Sequence, residues 1–168
     1  MGISLKKTEV LKEDKLNEMA QEKNDVLTTE TVKSPKYHRK DSGILEVLIV
    51  DDEETLLLSI DDGLSIYKQY FTLLTATNGV DAVNLLKSKM SIDLVITDLK
   101  MPRMDGFELL TYIQRNFPHI PVILMTAYGT PKIEEIVKTM GIYGYLEKPL
   151  DINTIAETIF EALKIKIH

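Results

Sequence analysis

The chain contains no cysteine and no apolar run long enough to cross a membrane. The first absence excludes disulfides, thiolate metal sites and a cysteine nucleophile, and it is compatible with a reducing cytosol. The N-terminus also lacks the apolar stretch of a signal peptide. A formal net charge of −6 is the opposite of the basic footprint expected of a nucleic-acid-binding domain. We therefore expect a cytoplasmic protein that binds neither membranes nor nucleic acids directly.

The 168 residues divide into two regions of different composition. Residues 1–43 carry 9 Lys or Arg and 8 Asp or Glu and show no strand pattern, so we expect a charged, disordered extension and linker. Good helix formers lie near residues 5–23, and two interpretations stay open, a solvated helix or coil and a helix that docks on a partner. Residues 44–168 carry the acidic excess and enough apolar residues for one core, which predicts a single domain.

Short apolar runs alternate with segments of helical spacing from Ile44 onward. The runs occupy about residues 45–50, 71–76, 92–97, 121–126 and 143–146. The apolar stripes between and after them are Leu56-Ile60-Leu64-Tyr67, Val80-Val83-Leu86, Leu110-Ile113-Phe117, Ile133-Ile136-Val137-Met140 and Ile152-Ile155-Ile159-Leu163. Strands that alternate with helices predict an α/β fold whose parallel sheet is covered on both faces. We predict a doubly wound (βα)5 flavodoxin-like domain with five parallel strands in the order 2-1-3-4-5.

Polar side chains end four of the predicted strands. Asp51 and Asp52 follow the first strand and Asp98 ends the third, while Thr126 ends the fourth and Lys148 follows the fifth. In open α/β sheets the functional residues gather at the carboxyl ends of the strands, and this strand order makes strands 1 and 3 neighbours. Clustered carboxylates repel one another unless a cation compensates them, and Mg²⁺ prefers oxygen ligands. The residues therefore predict a magnesium site with a hydroxyl group and an ammonium group beside it.

Each of these residues also has an ordinary structural explanation when it is taken alone. Asp is a favoured helix N-cap, so Asp51 and Asp52 could simply begin the next helix. Asp98 could be a turn residue, Thr126 could bond the local backbone, and Lys148 could be a surface lysine. The structural explanations together require that all five residues lie at strand ends by chance, which favours the functional interpretation.

Four short sequence blocks occur in order and are spread over the whole length of the predicted domain. They are Val50-Asp51-Asp52-Glu53, then Thr97-Asp98-Leu99-Lys100-Met101-Pro102-Arg103-Met104-Asp105-Gly106, then Met125-Thr126-Ala127-Tyr128-Gly129, and last Tyr145-Leu146-Glu147-Lys148-Pro149. With these blocks, about residues 45–165 resemble the receiver domain of two-component response regulators. The third block and the ending Lys148-Pro149-Leu150-Asp151-Ile152 are similar to the receivers of nitrogen-type regulators and of the single-domain sporulation relay regulator.

The resemblance implies a phosphorylation site. Asp98 would accept a phosphoryl group from a phosphohistidine on a histidine kinase or a histidine phosphotransfer protein. Asp51 and Asp52 would hold Mg²⁺, whose place Mn²⁺ can take, together with Asp98 and the backbone carbonyl of Lys100. Phosphoryl transfer depends mainly on positioning and charge neutralisation, which such a site supplies.

The resemblance also implies a switch. Thr126 and Lys148 would bind the new phosphoryl oxygens, and Tyr145 would turn inward when Thr126 moves. The moving surface would comprise the fourth helix, the fifth strand and the fifth helix, around residues 131–165. The Lys148–Pro149 peptide bond is expected to be cis, a minority state for such bonds.

Only one helix can follow Lys148, so we expect a stand-alone regulator. It would act on an unknown downstream protein or pass the phosphoryl group onward, and it would be a phosphoacceptor domain rather than an enzyme. Two alternatives stay open, a receiver-fold adaptor that is not phosphorylated and a phosphatase of the haloacid-dehalogenase type. The phosphatase needs Asp-x-Asp after the first strand, whereas this chain has Asp51-Asp52-Glu53.

Overall fold

Five strands form one parallel sheet in this computed structural model, which describes residues 43–89, 91–127 and 139–165. The strands are β1 (Leu45–Val50), β2 (Phe71–Ala76), β3 (Ile92–Asp98), β4 (Val122–Thr126) and β5 (Gly144–Glu147). Every neighbouring pair is parallel, and the order is β2-β1-β3-β4-β5. The predicted topology is confirmed, and β1 and β3 lie side by side where the winding changes direction.

Helices cover both faces of the sheet. In the described residues they are α1 (Glu54–Leu64), α2 (Gly79–Ser88), α3 (Gly106–Asn116) and α4 (Ile152–Leu163), and a 3₁₀ turn (Ser65–Tyr67) follows α1. Buried residues of α2 and α3 pack with Leu48 and Val50 on one face. Buried residues of α1 and α4 pack with Val47 and Ile49 on the other face. Because successive strand residues point to opposite faces, β1 contributes alternately to the two cores.

Side-chain caps begin three of the four helices. The Asn78 side chain accepts a hydrogen bond from the backbone N–H of Asp81 at 3.1 Å, which caps α2. Asp105 forms a capping box with Glu108 at the start of α3. Asp151 accepts from the backbone N–H of Thr154 at 3.0 Å and caps α4. These bonds satisfy backbone donors that have no partner within the helix.

Two of the predicted apolar stripes differ from the structure at their first residue, whereas Ile60, Leu64, Val83 and Leu86 are buried as predicted. In α1 Leu57 is buried in place of Leu56, which is half-buried, and in α2 Ala82 is buried whereas Val80 is 41% exposed. The inward face of α2 is formed by Gly79, Ala82, Val83 and Leu86, with the spacing of one helix face, and Val80 lies beside that face. The stripe at residues 133–137 lies outside the described residues, although Met140 is buried as predicted.

The described helices are short. None of the helices within residues 43–89, 91–127 and 139–165 is long and apolar enough to cross a bilayer.

Candidate functional site

Four strands bring the predicted polar residues to one edge of the sheet. Asp51 is the first residue after β1, Asp98 and Thr126 are the last residues of β3 and β4, and Lys148 is the first residue after β5. Backbone hydrogen bonds continue past the strand ends, since Leu99 N–H donates to Met125 O at 3.3 Å and Lys148 N–H donates to Thr126 O at 2.7 Å. The sheet register therefore sets the spacing of the site.

The Lys148 ammonium joins two buried carboxylates. Its Nζ lies 2.8 Å from Asp51 Oδ2 and 2.8 Å from Asp98 Oδ1. The whole residues are 1% exposed for Asp51 and 7% for Asp98, so both carboxylates have little solvent to screen their repulsion. A single positive charge placed between them offsets that repulsion.

Burial and hydrogen bonding act on the pKa of Lys148 in opposite directions. Burial is the largest single effect and lowers this pKa, but the hydrogen bonds to Asp51 and Asp98 and the attraction of their charges together raise it above its ordinary value. The ammonium is therefore charged throughout the neutral pH range. It is a fixed positive group at the mouth of the site, with a side chain that is 26% exposed.

Backbone amides hold the second oxygen of each carboxylate. The N–H of Glu53 donates to Asp51 Oδ1 at 2.9 Å, and the N–H of Lys100 donates to Asp98 Oδ2 at 2.6 Å. Each carboxylate is thus bonded on one side to a loop amide and on the other side to Lys148. These contacts orient both groups before any ligand binds.

The capping explanation of the acid pair is not what the structure shows. The N-cap of α1 is Glu53, which makes no side-chain cap hydrogen bond. Asp51 is buried in the ion pair, whereas its neighbour Asp52 is exposed. The two adjacent carboxylates therefore differ in environment, one belonging to the interior of the site and the other to its rim.

Thr126 lies on β4, the strand beside Asp98, and Tyr145 lies on β5, one strand further along the sheet. Thr126 is 6% exposed at the end of β4. Tyr145 is half-buried on β5 and packs against the core on the α2 and α3 face. The Lys148–Pro149 peptide bond is cis, as predicted.

The chemistry of the donor set fits a hydrated Mg²⁺. Two carboxylates, Asp51 and Asp98, lie within reach of one ammonium, a third carboxylate follows at Asp52, and all offer the hard oxygen ligands that Mg²⁺ prefers. Among the residues that the structure describes, no three Asp, Glu or His side chains are arranged as a metal-binding group. The assignment of Asp51, Asp52, Asp98 and the Lys100 carbonyl as ligands stays a prediction.

Two glycines lie in close backbone contact with the segment that follows Asp98. A methyl group on Gly106 would overlap the backbone carbonyl of Asp98 and lie 2.9 Å from Leu99 Cα. A methyl group on Gly79 would lie 2.8 Å from the backbone oxygen of Met104. The Asp105-Gly106 pair was the available signal, but a capped helix start explains it equally well. The close approach of two backbones emerges only from the tertiary packing.

Comparison with known proteins agrees with this geometry. The sequence matches the response regulator receiver domain family over residues 47–160. It is 32% identical over 121 residues to sporulation initiation phosphotransferase F of Bacillus subtilis, which covers 72% of this chain and 95% of that protein. It is 34% identical over 118 residues to the transcriptional regulatory protein GlrR of Escherichia coli, which covers 70% of this chain but only 26% of GlrR.

Solved structures show the same fold. The signal receiver domain of an HD domain-containing protein from Pseudomonas fluorescens superposes with a TM-score of 0.65 at 32% identity, covering 73% of this chain and 96% of that domain. The chemotaxis response regulator CheY4 of Vibrio cholerae gives a TM-score of 0.65 at 25% identity, covering 72% of this chain and all of that protein. The chain belongs to the response regulator receiver domain family, whose members are signalling domains.

Proposed function

We propose that residues 44–168 act as a phosphorylation-dependent switch or relay in which Asp98 is the phosphoacceptor. The donor would be a phosphohistidine on a histidine kinase or a histidine phosphotransfer protein. The observation that carries this proposal is the position of Asp98, a buried carboxylate at the carboxyl edge of the sheet with the Lys148 ammonium 2.8 Å from one oxygen. The match to the receiver domain family over residues 47–160 supports it.

The transfer exchanges one bond to phosphorus for another. An Asp98 oxygen forms the new O–P bond as the P–N bond to the donor imidazole breaks, and the electron pair of the broken bond stays on the imidazole nitrogen. The main obstacle is repulsion between the carboxylate and the anionic phosphoryl group. Lys148 lowers that repulsion through its positive charge, while the N–H of Lys100 keeps the other Asp98 oxygen in place.

A divalent cation belongs to this proposal. Asp51, Asp52, Asp98 and the backbone carbonyl of Lys100 would hold Mg²⁺, or Mn²⁺ in its place. The ion would supply neutralisation of phosphoryl charge at the carboxylate cluster.

The switch would arise from contacts that form only after transfer. The phosphoryl group brings negative charge and acceptor oxygens, which the Thr126 hydroxyl and the Lys148 ammonium can bind. Such differential contact can shift a two-state element. Tyr145 is half-buried on β5, next to the strand that carries Thr126, and is the side chain that we expect to respond.

Two outputs are compatible with the relatives. Sporulation initiation phosphotransferase F aligns over 95% of its length, which supports a relay or a switch built on a receiver domain alone. The chain spans about a quarter of the length of GlrR, so an output domain of that kind is not represented in this alignment. We propose that the receiver domain itself binds a downstream protein in the cytoplasm and makes no direct contact with nucleic acid, given its acidic excess.

Labelling with a small phosphodonor tests the phosphoacceptor directly. Wild type incubated with acetyl phosphate and Mg²⁺ is expected to gain one hydroxylamine-sensitive phosphoryl group, and Asp98→Asn is expected to gain none. Asp61→Asn is the matched control, because Asp61 is an exposed carboxylate on α1 and its loss leaves the site intact. Undiminished labelling of Asp98→Asn would show that Asp98 is not the phosphoacceptor. Absence of labelling in wild type would favour an adaptor that is not phosphorylated.

A further inference from the structure

A groove with a volume of about 500 Å³ lies at the edge of the sheet opposite Asp98. It is formed by the start of β1, the residues that precede β4 and β5, and the end of α4. Leu45, Ile120, Tyr143 and Leu163 are among its apolar lining residues. None of these residues takes part in the site around Asp98, so the groove needs a separate explanation.

Of the apolar side chains in the groove, Tyr143 is exposed and Leu45 is half-buried, whereas Ile120 and Leu163 are buried. Tyr143 is 48% exposed, and Ile44, next to the groove residue Leu45, is 57% exposed. His119 and Lys164 also line the groove and are exposed, so its rim carries basic groups. An apolar floor with a basic rim suits an amphipathic segment whose polar side is acidic.

We propose that residues 13–22 of this chain dock in the groove as an amphipathic helix. The position at which the chain enters the domain supports this occupant, since the first described residue is Gly43 and Leu45 already lines the groove. Residues 23–42 number 20, and a random coil of that length has a root-mean-square span of roughly 25 Å. The segment is therefore tethered beside the groove at a high effective concentration, which favours it over a free partner.

The sequence of the segment matches the groove in shape and in charge. Leu16, Met19 and Ala20 recur at the spacing of one helix face, and Leu and Met adapt readily to an irregular apolar surface. Residues 13–22 hold four acidic residues and one lysine, a net charge of −3 opposite the ammonium of Lys164.

Docking also decides between the two interpretations of this segment, a solvated helix or coil and a helix that docks on a partner. A helix of about ten residues is marginal in water by itself, so composition alone predicts a disordered extension. Burial of one apolar face supplies the stabilisation that the isolated helix lacks. The partner of this helix would then be the receiver domain of the same chain, and the docking does not depend on phosphorylation of Asp98.

Paramagnetic labelling of the full chain tests this proposal. Because the chain has no cysteine, Gln21→Cys provides a single site for a nitroxide spin label. The amide signals of Tyr143 and Lys164 are expected to lose intensity severalfold in the uniformly labelled protein, whereas that of Gly106, at the opposite edge, keeps its intensity. Equal intensity loss at all three amides, or none at the groove, would overturn the proposal.

A mixed sample separates docking within one chain from docking between copies. Isotope-labelled protein without the nitroxide is mixed with nitroxide-labelled protein of natural isotope abundance. No intensity loss at Tyr143 is expected in this sample. If the intensity loss at Tyr143 were as large as in the unmixed sample, where the nitroxide and the isotopes are on the same chain, the groove would bind a second copy and the proposal would be refuted.

Matched substitutions on both partners complete the test. Leu16→Asp is expected to abolish the loss at Tyr143 and Lys164, whereas Asn17→Asp, which adds the same charge one residue along, preserves it. On the groove side, Tyr143→Ser should weaken docking severalfold and Val80→Ser should not, since Val80 is an exposed apolar residue on α2. Equal effects of Leu16→Asp and Asn17→Asp would refute the apolar contact, and this pair stays informative if Tyr143→Ser does not fold.

Discussion

Gly106→Ala is the substitution that most sharply links the fold to the proposed phosphoacceptor. The added methyl group would overlap the carbonyl oxygen of Asp98 and lie 2.9 Å from Leu99 Cα. Both neighbours are backbone atoms, one in the last residue of β3 and one in the residue after it, so neither can rotate away as a side chain would. The Gly106 N–H also donates to Leu99 O at 3.2 Å, which holds the start of α3 against this loop.

The expected destabilisation is at the upper end of the range for overpacking, about 2–3 kcal/mol. Alanine is the better helix former, so its intrinsic preference opposes this loss and any net destabilisation reflects the overlap. For a domain of this size, such a loss lowers Tm by roughly 6–12 °C. The displaced backbone of Asp98 should also slow labelling by acetyl phosphate, because the carboxylate moves relative to Lys148.

Thermal unfolding and the initial labelling rate measure these two effects. Gly144→Ala is the control, because a methyl group at Gly144 meets no atom within 4 Å. The control should unfold at or slightly above the wild-type temperature and keep the wild-type labelling rate. If Gly106→Ala matched the control in both measurements, the close backbone approach would be refuted as a determinant of the site.

Four further substitutions test three other features of the structure. Lys148→Met leaves two neighbouring carboxylates without their ammonium, so it should lower the free energy of unfolding by about 2 kcal/mol at pH 7 without Mg²⁺. A fully buried ion pair would lose more. Adding Asp51→Asn should recover part of that loss in urea unfolding, and strictly additive effects would contradict the ion pair. Since the pKa of Lys148 is raised, its contribution is complete at neutral pH and disappears only as the pH rises above about 10 and passes through the raised value. Asp105→Ala should cost about 1 kcal/mol in urea unfolding through loss of the capping box, and an unchanged midpoint would contradict that cap. Arg103, whose φ is 68°, occupies the left-handed region, so Arg103→Gly should raise stability by about 0.5–1 kcal/mol, and a lower Tm would show that its side chain stabilises the loop.

The periodic features of this protein were predictable from its sequence. The five strands occur within about one residue of the predicted runs, and the order β2-β1-β3-β4-β5 followed from alternation and the doubly wound rule. Strand and helix periodicity depend on neighbours within a few positions, so a short window of sequence contains them. The order of the four motif blocks likewise indicated which residues would share one edge of the sheet.

Adjacent residues were harder to tell apart. Periodicity did not distinguish Leu56 from Leu57 or Val80 from Ala82, because the phase of a helix face depends on how the helix crosses the sheet. The same limit applied to the acid pair. Asp51 and Asp52 are chemically identical in the sequence, and only the position of Lys148, almost a hundred residues away, makes Asp51 the buried partner.

The sequence by itself determined the α/β class, the strand ends at which the polar residues lie, and the acidic, cysteine-free chemistry of the chain. Tertiary structure alone decided that Lys148 bridges Asp51 and Asp98, that Gly106 lies against the Asp98 backbone, and that a groove forms at the opposite edge. The physical reason is distance along the chain. Local preferences arise among near neighbours, whereas a charge pair, a close backbone contact or a groove exists only after the crossovers have brought remote segments together.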